Sequence, residues 1–175
     1  MKLPLVLISV TLFVAPVFAQ ESIPNRLIDY SEFKKIVVQS SQERESRRLT
    51  EEQFIAMMNK GDVVLLDARS ASRYAMRHIK GAKNLPFTEF TESSLASVVP
   101  NKNSQILIYC NNNFEGSPAA FAAKAPAASL NLATYTSLKA YGYNNIYELG
   151  PLLNISTTKI SFEGTEISKS KMKSR

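Results

Sequence analysis

Three residues able to do chemistry stand where apolar runs end. Cys110 directly follows Gln105-Ile106-Leu107-Ile108-Tyr109, Asp67 follows Val63-Val64-Leu65-Leu66, and Arg69 comes two positions after that acid. Both runs are short and continuously apolar, the pattern of strands buried on two faces. In open parallel sheets, reactive groups gather beyond the carboxyl ends of strands. A cysteine there, followed by the turn-prone Asn111-Asn112-Asn113-Phe114-Glu115-Gly116, meets the main-chain N–H groups of its own loop. Such a nest favours an anion, lowers a thiol pKa and stabilises a thiolate or a persulfide. The other reading of the same position is an inert, buried cysteine that finishes a core strand. Cys110 is the one cysteine of 175 residues, so no disulfide closes within the chain and the fold must rest on its apolar core.

The elements that position these residues are legible from periodicity and punctuation. Thr50-Glu51-Glu52-Gln53 is a capping box, and Phe54, Met57 and Met58 give the helix behind it an apolar face that Gly61 ends. After Asp67, Ser70 to Met76 reads as a short helix. Ile79 to Leu85 reads as a strand around Gly81, and Glu92 to Val99 as another helix. Leu130, Ala133, Leu138 and Tyr141 share a helical face closed by Gly142, and Asn145 to Leu149 is the next strand. Strands alternating with helices at this spacing predict an α/β domain built on a parallel sheet.

The ends of the chain set its context. Leu3 to Phe18 is almost wholly apolar behind Lys2, and Val17-Phe18-Ala19 places small residues where a signal peptidase cuts. This predicts a leader over residues 1–19, export most naturally to a bacterial periplasm, and no stable membrane anchor after cleavage. Residues 20–47 read as an extension, with a short helix capped by Asp29 or Ser31 and a polar linker from Gln39 to Arg47. Residues 48–152 form the domain, and 153–175 a basic tail. The formal charge of +6 is concentrated outside the domain. Lys2 lies in the leader, and Lys169, Lys171, Lys173 and Arg175 against Glu166 carry +3, which leaves only +2 between Gln20 and Thr165. A short basic end without interleaved aromatics is a solvated end, and nucleic acid is not expected as a partner.

Asp67-Ala68-Arg69-Ser70, Tyr74 and His78-Ile79-Lys80-Gly81-Ala82-Lys83-Asn84-Leu85-Pro86 together resemble the signature of the rhodanese-like domain family. Ile108-Tyr109-Cys110 is similar to the strand entering that family's active-site loop. Tyr141-Gly142-Tyr143-Asn144-Asn145-Ile146-Tyr147-Glu148-Leu149-Gly150 is similar to the segment that closes the domain. The resemblance runs from about Arg48 to Leu152. It implies a parallel sheet of about five strands flanked by helices on both faces. It also implies sulfur transfer through a persulfide on Cys110, from a small sulfur donor to a thiol acceptor, without a metal or organic cofactor. In that frame Cys110 is the nucleophile, the amides of Asn111 to Gly116 form its anion cradle, and Asp67 and Arg69 order the loops near the sulfur. His78, the sole histidine, belongs to a structural turn.

The chain departs from the family at the loop itself. No basic residue occurs from Asn111 through Ala123, and Glu115 adds a negative charge. A unit charge at about 4 Å is worth ~1 kcal/mol even in bulk water, so a dianionic donor such as thiosulfate is disfavoured on this reading. The helix that follows the loop starts near Ser129, leaving an insertion from Ser117 to Ser129 that reads as a lid or partner-docking element, or as packing at the sheet edge. Related phosphatases need an arginine at the loop's end, where this chain has Gly116 and Ser117. Two functions stay open: a sulfurtransferase with an unusual donor or acceptor, and a binding module of the same fold that docks a protein partner.

Overall fold

A computed structural model describes residues 23–173; the predicted leader lies outside them. The helices are α1 (Tyr30–Arg44), α2 (Glu51–Met58), α3 (Ala71–Met76), α4 (Glu92–Val98), α5 (Leu130–Ala140) and α6 (Thr165–Lys173). The strands are β1 (Arg48–Leu49), β2 (Val63–Asp67), β3 (His78–Ile79), β4 (Lys83–Asn84), β5 (Gln105–Tyr109), β6 (Phe114–Glu115), β7 (Ile146–Leu149), β8 (Leu153–Asn154) and β9 (Phe162–Glu163). Five of them form a parallel sheet in the order β1-β7-β5-β2-β4, the α/β architecture expected from the sequence. No described helix is long and apolar enough to cross a membrane.

β5 is the centre of the sheet because it is apolar on both faces. Leu107 and Tyr109 point to one side, against Phe54 of α2, Leu65 and Leu149. Ile106 and Ile108 point to the other, against Leu95 of α4 and Tyr135 and Leu138 of α5. Alternation along a pleated strand makes one five-residue run serve two cores. Five register pairs join β2 to β5, ending with Asp67 opposite Tyr109, so both strands finish at one edge and Cys110 begins just beyond it. The capping box forms as predicted: the Gln53 amide donates to Thr50 Oγ1 at 3.3 Å, and the Thr50 amide to Gln53 Oε1 at 2.9 Å.

Both flanks differ from the sequence reading. The polar stretch expected to be a linker is the second half of α1, a 15-residue helix capped by Asp29. It docks on α5 and β7 through its polar side: Lys139 Nζ reaches both oxygens of Glu43 at 3.1 and 2.9 Å, Arg44 pairs with Glu148, and Ser40 is buried. Its apolar residues Tyr30, Phe33 and Val38 stay exposed. A partner surface of Asn131, Thr134, Lys139 and Glu148 accepts charge and hydroxyls better than methyls, which explains the inversion.

Residues 153–173, read as a tail, are folded onto the domain. β9 pairs antiparallel with β3, Ile160 is buried, and Glu166 accepts from Arg77 Nε at 3.0 Å and from Ser117 Oγ at 2.8 Å. Gly164 has φ +125°, and a Cβ there would lie 2.4 Å from the Met76 carbonyl oxygen, so the close approach of this segment to α3 requires glycine.

Candidate active site

Cys110 directly follows β5 and caps a single turn of 3-10 helix over Asn111–Asn113. Its Sγ accepts from the Asn112 amide at 3.4 Å and lies 3.4 Å from Ser129 Oγ, a hydroxyl free to turn its proton toward a thiolate. Its own N–H donates to Asn113 Oδ1 at 2.9 Å, and Asn131 Nδ2 reaches the same oxygen at 3.2 Å. Asn113 Nδ2 then donates to Leu149 O at 2.8 Å and to Pro151 O at 3.2 Å. One side chain thus ties the sulfur's turn to the start of α5 and to the end of β7. The other two asparagines hold the insertion: Asn111 Nδ2 donates to Ala122 O at 2.7 Å, and Asn112 exchanges bonds of 2.8 and 2.9 Å with Lys124.

Within the predicted cradle over Asn111 to Gly116, the turn that follows Cys110 brings a main-chain amide to the sulfur. The Asn112 amide donates to the sulfur, and the Ser129 hydroxyl lies beside it at 3.4 Å, where it can donate to a thiolate. Phe114 buries its ring in the core against Phe121 and Phe162, at centroid distances of 4.8 and 5.1 Å. Phe114 and Glu115 pair with β8, in register with Leu153 and Asn154.

Cys110 is only 1% exposed, yet it lines a pocket of about 300 Å³ whose other walls come from Arg44, Arg48, Ser129, Asn131 and Glu148. The pocket holds charges that the loop itself does not contain. Glu115 is exposed and lines a different pocket beside Asn111 and Phe121. The positive charge missing from the loop arrives from α1 and β1, as Arg44 and Arg48, against the one carboxylate of Glu148. Arg44 pairs with Glu148 Oε1, and Arg48 Nε lies 3.4 Å from the same oxygen. With two cations against one anion, the pocket favours an anionic visitor.

Asp67 and Arg69 are not among the residues that line the Cys110 pocket. Both are essentially unexposed. Arg69 Nε reaches both oxygens of Asp67 at 2.9 and 3.1 Å, Nη1 donates to Ala120 O at 3.0 Å, and Nη2 donates to Arg77 O at 2.9 Å. Its guanidinium lies 4.4 Å from the Phe121 ring centroid. Desolvation would lower the Arg69 pKa, but bonds to Asp67 outweigh it and the net direction is upward. The Tyr109 hydroxyl also donates to Asp67, and burial pushes that phenol well above its ordinary pKa. The pair therefore orders the insertion, with Ala120 and Phe121 packed in the core as its anchor. His78 is structural: Nδ1 lies 2.8 Å from Tyr74 O, and the two rings stack at 3.7 Å.

Ser129, Asn131, Arg44, Arg48 and Glu148 were not read as site residues. Glu148 carried a signal, being an acid between Tyr147 and Leu149 in an otherwise apolar strand. Ser129 was visible as a helix start. Arg44 and Arg48 had none, since contacts across about a hundred positions leave no local pattern.

The pattern of the rhodanese-like domain matches residues 50–150. The chain belongs to the rhodanese-like domain family. Thiosulfate sulfurtransferase PspE of Escherichia coli K12 is 27% identical over 95 residues, which are 54% of this chain and 76% of PspE. The crystal structure of the BH2092 protein from Bacillus halodurans has the same fold, with a TM-score of 0.50 at 18% identity, over 76% of this chain and 88% of that one. A rhodanese with anions from E. coli covers 59% of this chain and 99% of its own, with a TM-score of 0.40 at 20% identity. The match begins at Thr50, so Arg44 and Arg48 are contributed from outside the matched segment.

Proposed function

We propose that this rhodanese-like domain is a sulfurtransferase that carries sulfur as a persulfide on Cys110. The observation that carries the reading is the sulfur's placement at a strand end. The Asn112 N–H donates to it at 3.4 Å and the Ser129 hydroxyl lies at 3.4 Å, on the wall of a pocket with two arginines. Donors aimed at a sulfur stabilise the thiolate, the attacking form, and then the persulfide anion. The Sγ thiolate attacks the outer sulfur of an anionic donor such as thiosulfate. The donor's S–S bond breaks, and its electron pair leaves with sulfite. A thiolate acceptor then attacks the bound outer sulfur, and the pair of the broken bond returns to Sγ.

A second reading is supported by the 1% exposure of Cys110 and by the exposed Tyr30, Phe33 and Val38 of α1: a module that docks a protein partner with little turnover. Intact mass after incubation with thiosulfate and other sulfane donors separates the two. The sulfurtransferase gains the mass of one sulfur atom, loses it to cyanide as thiocyanate, and gains none as Cys110→Ser. Absence of any gain with every donor overturns the reading in favour of docking. We also propose export to a bacterial periplasm, on the apolar Leu3 to Phe18 and the small residues before Gln20. A mature N-terminus at Gln20 in the periplasmic fraction is the expected result, and retention of Met1 in the cytosol contradicts it.

A further inference from the structure

We propose that this protein pairs with a second copy of itself through α1, each copy seating the apolar residues at the start of that helix in a groove beside the same helix of the other. The inference does not rest on the chemistry at Cys110. α1 docks by its polar side, which leaves its apolar side chains without partners. Ile23 is 92% exposed, Leu27 79%, Ile28 71%, Tyr30 74% and Phe33 52%, with Val37 and Val38 beside them. Neither core of the described residues includes any of the seven. A large apolar residue in full exposure presents about 200 Å², so together they leave roughly 900 Å² per chain in water. The largest apolar patch of a monomer is about 300–600 Å², whereas a stable interface takes about 800 Å² from each partner. The uncovered face has the area of one side of a dimer.

A groove of about 500 Å³ accompanies that face. Phe33 and Val37 form its α1 wall, and Phe87, Ala127, Leu132 and Ala133 complete it. Tyr30, Phe33 and Val37 recur at i, i+3 and i+7 on one side of the helix, so the projecting residues and the groove follow one another along it. Tyr30 and Val37 are about 10 Å apart along the axis. A two-fold axis between them lets each copy supply a filling and receive one, the self-complementarity that a closed pair requires. Charge favours an identical chain over a bilayer. Arg26, Lys34 and Lys35 stand against Asp29 and Glu32, and Lys35 Nζ is already held by Glu32 at 3.0 Å. A face so nearly balanced does not repel its own copy, and it lacks the excess of Lys and Arg that draws a helix to anionic lipid. Arg44 and Leu132 line both this groove and the Cys110 pocket, so the seated partner borders the sulfur site.

The test is the mass in solution of the chain from Gln20 onward, which contains every described residue. Sedimentation equilibrium from about 1 to 200 µM should show twice the chain mass, with a Kd at or below about 10 µM. Leu27→Asp spoils the filling and Ala127→Glu spoils the groove. Both positions are exposed, so urea midpoints should stay at the parent's value. Each variant alone should dimerise about tenfold or more weakly than the parent. Mixed together they should recover about tenfold, because a mixed pair keeps one intact seat, Leu27 of the groove variant in the groove of the Leu27→Asp chain. Monomers throughout the range overturn the inference, and if those monomers pellet with vesicles of phosphatidylglycerol and phosphatidylethanolamine the face belongs to a bilayer instead. A dimer that neither variant weakens, or two variants that do not rescue each other, overturns it as well.

Discussion

Asn113→Ala tests whether the site is held by one side chain. The native amide uses its oxygen twice, for Cys110 N–H and Asn131 Nδ2, and its nitrogen twice, for Leu149 O and Pro151 O. Each bond contributes about 1 kcal/mol net, and a buried amide such as that of Cys110 costs a further 1–3 kcal/mol when orphaned. Water can repair part of this near the pocket, so the expected loss is about 3 kcal/mol. With a urea slope near 2 kcal/mol per molar, the unfolding midpoint falls by about 1.5 M. The functional consequence has a signature that mere instability lacks. Without Asn113 the turn loosens, the Asn112 amide leaves the sulfur, and Cys110 becomes easier to reach. Alkylation by iodoacetamide under native conditions should speed up, while sulfur uptake from thiosulfate slows. Stability within about 1 kcal/mol of the parent, with both rates unchanged, would show that the network around the sulfur is idle and refute the reasoning.

Arg69→Met leaves the buried Asp67 carboxylate without its cation, with only the Tyr109 hydroxyl and the main-chain amide of position 69 donating to it, and removes the donors to Ala120 O and Arg77 O, so it should cost about 3–5 kcal/mol. Urea unfolding measures it, and a cost below about 1 kcal/mol would mean the pair is not the insertion's anchor. Tyr135 has a buried hydroxyl without a partner, and its pKa is pushed up to about 12, first by burial and then by the nearby Glu43. In the unfolded chain the phenol ionises near pH 10, so its contribution to stability is intact below that pH and is lost as pH rises toward 12. Tyr135→Phe should therefore match or exceed the parent's stability at neutral pH and lose less of it between pH 10 and 12, and an identical alkaline decline in both proteins would be contrary evidence.

What the sequence disclosed and what it hid divide along physical lines. β2 and β5 were legible because a strand buried on both faces has to be continuously apolar, and Cys110 and Asp67 were placed by where those runs stop. Thr50 to Gln53 and Gly142 were legible because caps are made by residues within a few positions of one another. The extent of α1 was hidden because its docked face is Ser40, Glu43 and Arg44, which look like a solvated linker until Lys139 and Glu148 are brought opposite. Residues 153–173 were hidden because their anchoring is sparse: Ile160, Phe162 and the close approach at Gly164 hold a segment that otherwise reads as polar. The site's positive charge was hidden because it is displaced from the loop to Arg44 and Arg48, which no local pattern ties to Cys110.

That displacement also changes how the site's charge is controlled. A cation within the catalytic loop is held by the same backbone as the nucleophile, whereas Arg44 depends on α1 staying docked. The docking seam is polar. Ser40 Oγ, Arg44 Nε, Arg47 Nη1, Thr134 Oγ1, Tyr135 Oη and Glu148 Oε2 are all buried there without partners, and the bonds that do form are ion pairs, Glu43 to Lys139 and Arg44 to Glu148. A seam of this kind gains little from the hydrophobic effect and is weakened by salt at its exposed margin. The field at Cys110 is thus coupled to a helix whose attachment is electrostatic, while the sulfur, its two donors and the Asn113 knot belong to the rigid sheet. Position of the nucleophile and charge of its pocket are set by different parts of the chain. Undocking α1 would remove one of the pocket's two arginines and uncover the Glu148 carboxylate while leaving the thiol where it is.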